Sequence, residues 1–360
     1  MKILILSCST GGGHNTCANY ILEELESNNI ECIFKDYYDI VNKKNKAFAE
    51  ELYLKSLGAN GNIFKTIYKL GEIYSSTHIK SPVYLVNKGY SKKLFEYIKS
   101  NNITLVICTH VFPAECLTAI NKKEKVPFIM VATDYECCPF MEETQPNYYV
   151  GQKGLLERFT RKKINKDKVI LTGIPISKRF INEKKNILNV LNIKTKNTVL
   201  ITLGSMGFGS IKDVIEGLTN IEDTSIIVVC GNNKNLKKEL SKIKKDNLIV
   251  LGFVSNMNDL IYSSTIVLSK PGGLSTTEVG AINKPLIHIF PIPGIETYNA
   301  NFFEKNKMSL IAKNKSDIIS LTKMLLENKD LQEEMILNQK KIINKDSAKD
   351  LVDFIINNFK

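Results

Sequence analysis

The segment Lys270-Pro271-Gly272-Gly273-Leu274-Ser275-Thr276-Thr277-Glu278 lies between an apolar run and a new helical pattern. The run, Thr265 to Ser269, predicts a strand, and Pro271 with two glycines predicts a tight turn at its end. Ser275 and Thr276 are expected to start a helix, where unpaired backbone N–H groups and the helix dipole favour an anion. Gly272 and Gly273 allow close approach of backbone to a phosphate. Glu278, one turn in, is placed to accept hydrogen bonds from vicinal hydroxyls such as those of a ribose. The chemistry indicated is recognition of a nucleoside diphosphate. An ordinary strand–turn–helix connection fits the glycine pair equally well, and the next segment decides between the two.

Pro285 to Pro293 reads as a second apolar strand, ending in Pro291-Ile292-Pro293-Gly294 and followed by Ile295-Glu296-Thr297-Tyr298-Asn299. Two consecutive strand ends therefore carry glycine–proline loops with polar side chains at helix starts. In an open parallel sheet, ligands bind at the carboxyl ends of strands.

Two other glycine loops have rival readings. Ser9-Thr10-Gly11-Gly12-Gly13-His14 follows the first strand, but the third glycine of a dinucleotide fingerprint falls on Thr16. Asp36 stands about where a ribose-binding acid belongs, so a nicotinamide dinucleotide survives only as a weak alternative. Gly204-Ser205-Met206-Gly207-Phe208-Gly209 has no lysine after Gly209 and is not a nucleoside-triphosphate loop.

Strands and helices alternate along the chain, the pattern of α/β domains with parallel sheets. Strands are expected at Lys2–Ser7, Glu31–Asp36, Thr104–His110, Pro127–Thr133, Asn147–Val150 and Val169–Leu171. The pattern restarts at Thr198–Leu203, then Ser225–Cys230, Leu248–Leu251, Thr265–Ser269 and Pro285–Phe290. Cys17, Ile21, Leu22 and Leu25 form the buried stripe of a first helix. Between Asn42 and Lys99 the rhythm breaks into a lysine-rich helical region with Phe48, Leu52, Tyr53, Leu57, Phe64, Ile67 and Tyr68. These side chains suit a cover over an acceptor site, a basic surface resting on lipid head groups, or plain core packing.

With 360 residues, two domains are the natural expectation. No stretch reaches the roughly 18 apolar residues of a membrane span, and the apolar amino terminus is short enough to be a strand. Eight cysteines show no metal spacing, so zinc is not expected, and a reducing cytoplasm is the simple reading. The formal charge of +12 comes from lysine spread throughout, with no nucleic-acid motif. Solvated helix faces, and beyond them an anionic membrane surface, account for it better than nucleic acid.

The motifs KPGG-x4-E at Lys270–Glu278 and PIPG-x-E-x2-N at Pro291–Asn299 resemble the donor half of the monogalactosyl- and processive glucosyl-diacylglycerol synthases. Gly11-Gly12-Gly13-His14, Thr133-Asp134-Tyr135 and Gly173-Ile174-Pro175 extend the resemblance over nearly the whole chain. It implies a GT-B architecture, two Rossmann-like domains with parallel sheets facing across a cleft. Residues 1–175 are then an acceptor and membrane-side domain and 176–344 a donor domain. Residues 345–360 form a helix packing back on the first.

The resemblance implies an inverting transfer of a hexose from a UDP-sugar to diacylglycerol or a glycolipid. It assigns catalysis to His14, with Asp134 orienting it or acting as base. A neutral His14 at a helix start suits proton acceptance; capping or anion binding is its alternative role. Donor contacts fall to Gly204, Ser205, Phe253, Gly272, Gly273, Ser275, Thr276, Glu278, Glu296 and Asn299. Gly12, Gly13 and His110 belong to an acceptor or anion loop, His110 being as well suited to packing, while His78 and His288 are read as structural. No obligatory metal or other cofactor is implied, and the place of work is the inner face of the cell membrane, as a peripheral protein. Two departures stand out: Cys138 and Met141 replace a His and an aromatic common in the family, and Ile295 replaces a Gln. Rival readings are a UDP-N-acetylglucosamine 2-epimerase-like isomerase, a peptidoglycan-type N-acetylglucosaminyltransferase, and a non-catalytic UDP-sugar sensor.

Overall fold

The computed structural model describes residues 1–9, 12–43, 62–76, 80–203 and 211–359. Thr10, Gly11, His78, the positions Phe48, Leu52, Tyr53 and Leu57, and the loop holding Gly204 and Ser205 lie outside these residues, as do the side chains of Phe64 and Ile67. The chain forms two compact units: Met1–Ser177 with Pro293–Ile295 and Asp346–Lys360, and Lys178–Ile292 with Glu296–Lys345.

The first unit begins with β1 (Lys2–Ser7), α1 (Gly12–Ser27), β2 (Glu31–Asp36) and α2 (Tyr37–Val41). It continues through α3 (Asn62–Ser76), α4 (Pro82–Lys88), α5 (Ser91–Ser100), β3 (Leu105–Cys108) and α6 (Val111–Ile120). β4 (Phe128–Val131), β5 (Tyr148–Val150), α7 (Leu156–Arg161) and β6 (Val169–Ile170) complete its sheet. All pairings are parallel, in the order β2-β1-β3-β4-β5-β6, with Leu4 of β1 opposite both Ile33 and Val106.

The second unit runs β7 (Asn197–Thr202), α8 (Lys212–Leu218), β8 (Thr224–Val229), α9 (Lys234–Leu240), β9 (Leu248–Leu251) and α10 (Met257–Ser263). β10 (Ile266–Ser269), α11 (Gly273–Ile282), β11 (Leu286–His288), α12 (Ile295–Lys305), β12 (Leu310–Ile311), α13 (Lys315–Glu327) and α14 (Lys329–Ile342) follow. Its sheet is also parallel, ordered β12-β11-β10-β7-β8-β9. The last helix, α15 (Ser347–Asn358), belongs to the first unit. There the Ser347 hydroxyl donates to the Ile174 carbonyl at 2.8 Å, and Phe354 meets Tyr148 edge-on at 4.8 Å.

β3, β4, β8 and β10 are buried along their whole length, which is why apolar residues dominate them. Val199, Ile201, Ile226, Val228, Ile266 and Leu268 supply one core of the second unit. Helix starts follow local chemistry: Asn233, Asn314 and Asn328 each accept from the N–H three residues on. The expected strands are present, generally with ends trimmed by one or two residues. The two-residue β12 escaped the pattern because so short a run carries no period. In α1, Cys17, Ile21 and Leu25 are buried as expected, whereas Leu22 is half-buried and Ala18, Tyr20 and Glu24 join the inner face.

Both sheets change winding direction once. In the first, β1 has β2 on one side and β3 on the other; in the second, β7 is flanked by β8 and β10. Connections leaving such neighbours diverge to opposite faces and open a crevice at the carboxyl ends of the strands. The first crevice lies between the turn after β1 and the start of α6. The second lies at the carboxyl ends of β7 and β10, beside the turn from β10 into α11.

Candidate functional site

At the first crevice, the turn after β1 is braced by Asp36. Its Oδ2 accepts from the Ser9 N–H at 3.0 Å and from the Ser9 hydroxyl at 2.6 Å, while Oδ1 caps α2 through the Tyr38 N–H at 2.9 Å. The carboxylate that a dinucleotide ribose requires is thus engaged by the protein itself, and the nicotinamide alternative is set aside. Asn15 donates to the Ser9 hydroxyl at 3.1 Å, tying α1 to the same turn.

Gly12 and Gly13 open α1 and are exposed. His14 follows, and its Nδ1 lies 2.8 Å from the Thr109 carbonyl oxygen and 3.0 Å from the Thr133 hydroxyl. A carbonyl only accepts, so Nδ1 carries the proton and Nε2 keeps its lone pair. The Thr109 hydroxyl donates back to the His14 backbone carbonyl at 3.1 Å, tying the start of α1 to the end of β3. The Thr133 hydroxyl in turn lies 3.4 Å from Asp134 Oδ2, so Asp134 connects to His14 through Thr133.

Burial lowers the His14 pKa; the Asp134 charge and the Thr109 carbonyl act in the opposite sense but do not overcome it. His110 packs edge-on to His14, ring centres 4.8 Å apart, and its Nδ1 accepts from the Phe112 N–H at 3.2 Å as the cap of α6. Burial, with His14 adding to it, pushes His110 well below the ordinary imidazole range. Both rings are neutral at neutral pH. Cys138, where many family members carry His, has its thiol pushed up to about 12 by burial and remains protonated. Met141 is buried. The loop after Asp134 is pinned by Arg158 to Glu136 at 3.0 Å and Lys162 to Glu142 at 2.9 Å.

At the second crevice, α11 starts earlier than expected. Gly272 is its extended N-cap and Gly273 its first residue, so Ser275 and Thr276 already lie inside the first turn. The Thr276 N–H makes the first turn-closing bond, to the Gly272 carbonyl at 3.0 Å. The donors left to an anion by helix geometry are therefore the N–H groups of Gly273, Leu274 and Ser275. The Thr276 side chain is fully buried, its hydroxyl 3.4 Å from His288 Nε2, which gives it a packing role. His288 is structural as read, its Nδ1 3.1 Å from the Ser309 hydroxyl. Ser275 donates to the Gly272 carbonyl at 3.1 Å and remains partly accessible. Glu278 is mostly buried one turn further on.

Glu296 and Asn299, expected to hold sugar hydroxyls, are turned toward the loops instead. Glu296 Oε2 accepts from the Ile292 N–H at 2.7 Å and lies 3.9 Å from the Lys270 ammonium. Asn299 is fully buried and donates to the Pro271 carbonyl at 3.0 Å, so its amide braces the turn rather than a ligand. Gly294 makes its turn with φ +114°, a conformation that side-chain-bearing residues avoid. Phe253, after β9, is 74 % exposed, a free aromatic face at the carboxyl edge of the sheet.

Thr109, Thr133 and Lys270 carried no role in the sequence reading. A threonine directly before Asp134 and a lysine directly before the glycine turn were the available signals. Thr109 had none, since it acts on the ring through its backbone.

Residues 14–176 match the family model for monogalactosyldiacylglycerol synthase, and residues 198–353 that for the glycosyltransferase family 28 C-terminal domain. The processive diacylglycerol beta-glucosyltransferase of Bacillus pumilus (strain SAFR-032) is 29% identical over 99% of this chain and 94% of its own length. Among solved structures, the glycotransferase of kitacinnamycin superposes with a TM-score of 0.70 at 10% identity, covering 100% of this chain and 99% of that one. UDP-GlcNAc 2-epimerase from Neisseria meningitidis, bound to UDP-GlcNAc, gives 0.63 at 15% identity over 99% and 100%. At such identities these two report the GT-B-type fold alone, and that fold serves transferases and epimerases alike. The two family models fall one on each parallel sheet and together take in most of the sequence. The chain therefore pairs a domain matching monogalactosyldiacylglycerol synthase with a glycosyltransferase family 28 C-terminal domain, and it is a glycosyltransferase.

Proposed function

We propose that this glycosyltransferase moves a hexose from a UDP-sugar onto diacylglycerol, or onto the glycolipid made from it, with inversion at the anomeric carbon. The observation that carries the reading is the Thr109 carbonyl on His14 Nδ1. It leaves Nε2 as an unprotonated base at neutral pH, in a ring whose orientation is fixed. The acceptor hydroxyl attacks the anomeric carbon from the face opposite UDP, and the bond to the UDP oxygen breaks. His14 Nε2 takes the hydroxyl proton, while Thr133 and Asp134 hold the ring and favour the imidazolium that forms. Negative charge growing on the diphosphate meets the free N–H groups at the start of α11, with no metal in the step.

A lipid acceptor is supported by the name of the Bacillus pumilus relative and by the surface of the first unit. Leu70 and Ile73 on α3 and Leu85 and Val86 on α4 are large apolar side chains left exposed, with Lys69 and Lys88 beside them in sequence, also exposed. Apolar and basic residues in that combination suit the anionic inner face of a cell membrane. An epimerase has no use for such a surface. No helix among the described residues is long and apolar enough to cross a membrane.

The test is UDP release from UDP-glucose, UDP-galactose and UDP-N-acetylglucosamine, with and without diacylglycerol vesicles, followed by chromatography of the lipids. Vesicle-dependent release with a new glycolipid is the expected result and names the sugar. Conversion of UDP-N-acetylglucosamine to its epimer, with no glycolipid from any donor, would reject the reading.

A further inference from the structure

The donor-side turn carries a buried cation. Lys270 directly follows β10, two residues ahead of the N-cap of α11, and is only 8% exposed. Its ammonium lies 3.9 Å from Glu296 Oε2, longer than the roughly 2.7–2.9 Å of a charge-assisted hydrogen bond. Glu296 is itself held by the Ile292 N–H. Asn299, three residues along α12 and so on the same helix face, grips the neighbouring Pro271 carbonyl. Successive turns of α12 thus fasten the Lys270–Pro271 step to the loop after β11.

Taking an ammonium out of water is costly, on the order of several kcal/mol, so a lysine placed here calls for anionic company. Burial lowers the Lys270 pKa and Glu296 pulls it back up. One carboxylate balances one ammonium, but a carboxylate beside a phosphate site would also repel the ligand. The Lys270 ammonium, on the residue just ahead of that turn, offsets the repulsion. The N–H groups of Gly273 to Ser275 at the same turn supply the complementary donors.

We propose that Lys270 is the side-chain cation that meets the donor's diphosphate, with Glu296 and Asn299 as positioning residues that hold it beside the start of α11. This deepens the UDP-sugar reading and rests on it. As the bond to the anomeric carbon breaks, charge accumulates on the diphosphate and the interaction with the ammonium strengthens, so Lys270 favours the transition state over the ground state.

The test is calorimetric titration of the full chain with UDP and, separately, with uridine, which lacks the phosphates. In K270M and K270Q the affinity for UDP should fall about ten- to a hundredfold, the range for one charged hydrogen bond, while uridine stays within about twofold. K270R should recover most of the loss, which also guards against reading a folding defect as a binding one. E296Q keeps an acceptor for the Ile292 N–H but removes the charge that raises the Lys270 pKa. Its UDP affinity should therefore begin to fall at a lower pH than in the wild type, with uridine binding unmoved. Equal losses of UDP and uridine in K270M and K270Q, or an unshifted alkaline limit in E296Q, would overturn the assignment while leaving the nucleotide site intact. Wild-type protein that binds neither ligand would overturn the donor reading and this inference together.

Discussion

Replacing Glu115 with glutamine probes a buried acid of the first unit. Glu115 lies on α6, the helix that His110 caps, and is fully buried. Its Oε2 accepts from Asn87 Nδ2 at 2.6 Å, and Asn87 Oδ1 accepts from the Tyr37 hydroxyl at 3.1 Å. Burial raises the Glu115 pKa from the usual 4.5 to about 8; Asn87 and Lys80 oppose the rise, and Glu143 and Glu142 add to it. Between those two values the folded protein keeps a proton that the unfolded chain has lost. Stability is then full below the unfolded value and falls as pH rises, by about 1.36 kcal/mol per unit, levelling off above the folded value. From about pH 5 to about pH 8 the loss is on the order of 4 kcal/mol.

Glutamine mimics the protonated acid at every pH, so the E115Q variant should match the wild type near pH 5 and exceed it near pH 8. Hydrogen exchange of peptides spanning β3 and α6 reads this locally, and intrinsic exchange rates cancel between proteins at one pH. The ratio of protection, variant over wild type, should grow by up to about a thousandfold across that window. A ratio that does not change with pH would refute the reasoning, because it would mean Glu115 carries the same charge folded and unfolded.

H14A should lower kcat by about a hundredfold or more while leaving UDP affinity within about twofold, by initial rates and calorimetry. Because burial lowers the His14 pKa, wild-type kcat/KM should hold its plateau below the pH at which an ordinary imidazole protonates, and D134N should extend that plateau further toward acid. Turnover in EDTA should stay within about twofold of that with added magnesium, since α11 and Lys270 supply the positive charge; a large loss would reintroduce a metal. N299L should strand the Pro271 carbonyl, destabilise the second unit by about 1–3 kcal/mol in urea unfolding and raise KM for the donor. L70E with I73E should weaken binding to anionic vesicles in flotation while leaving turnover on a detergent-dispersed acceptor intact.

Both parallel sheets were legible in the chain because each buried strand is a local run: Val106 to Cys108, Ile226 to Val229 and Ile266 to Leu268 announce themselves without reference to anything distant. The turn at Pro271–Gly273 was equally local, and so was the helix it starts, although its first residue was misplaced by two. Apolar periodicity ends softly there, and only the Thr276-to-Gly272 bond marks the true first turn.

Long-range geometry decided the rest. Asp36 stands where a ribose acid belongs, yet its carboxylate is engaged by Ser9, twenty-seven positions away. The His14 tautomer depends on a carbonyl ninety-five positions away, which any residue at 109 would have offered. Glu296 and Asn299 are polar side chains at a helix start, and composition alone suits them to a ligand; packing of α12 against two loops turned them toward Lys270 and Pro271 instead. Leu70 and Ile73 are large apolar residues, and only the fold shows that they lie exposed on the surface. The amino-acid sequence by itself determined the elements and the two strand-end turns, because those follow from local backbone preference and apolar period. The tertiary structure alone decided which polar groups remain to do chemistry, because hydrogen bonds between distant segments settle which donors and acceptors are already used.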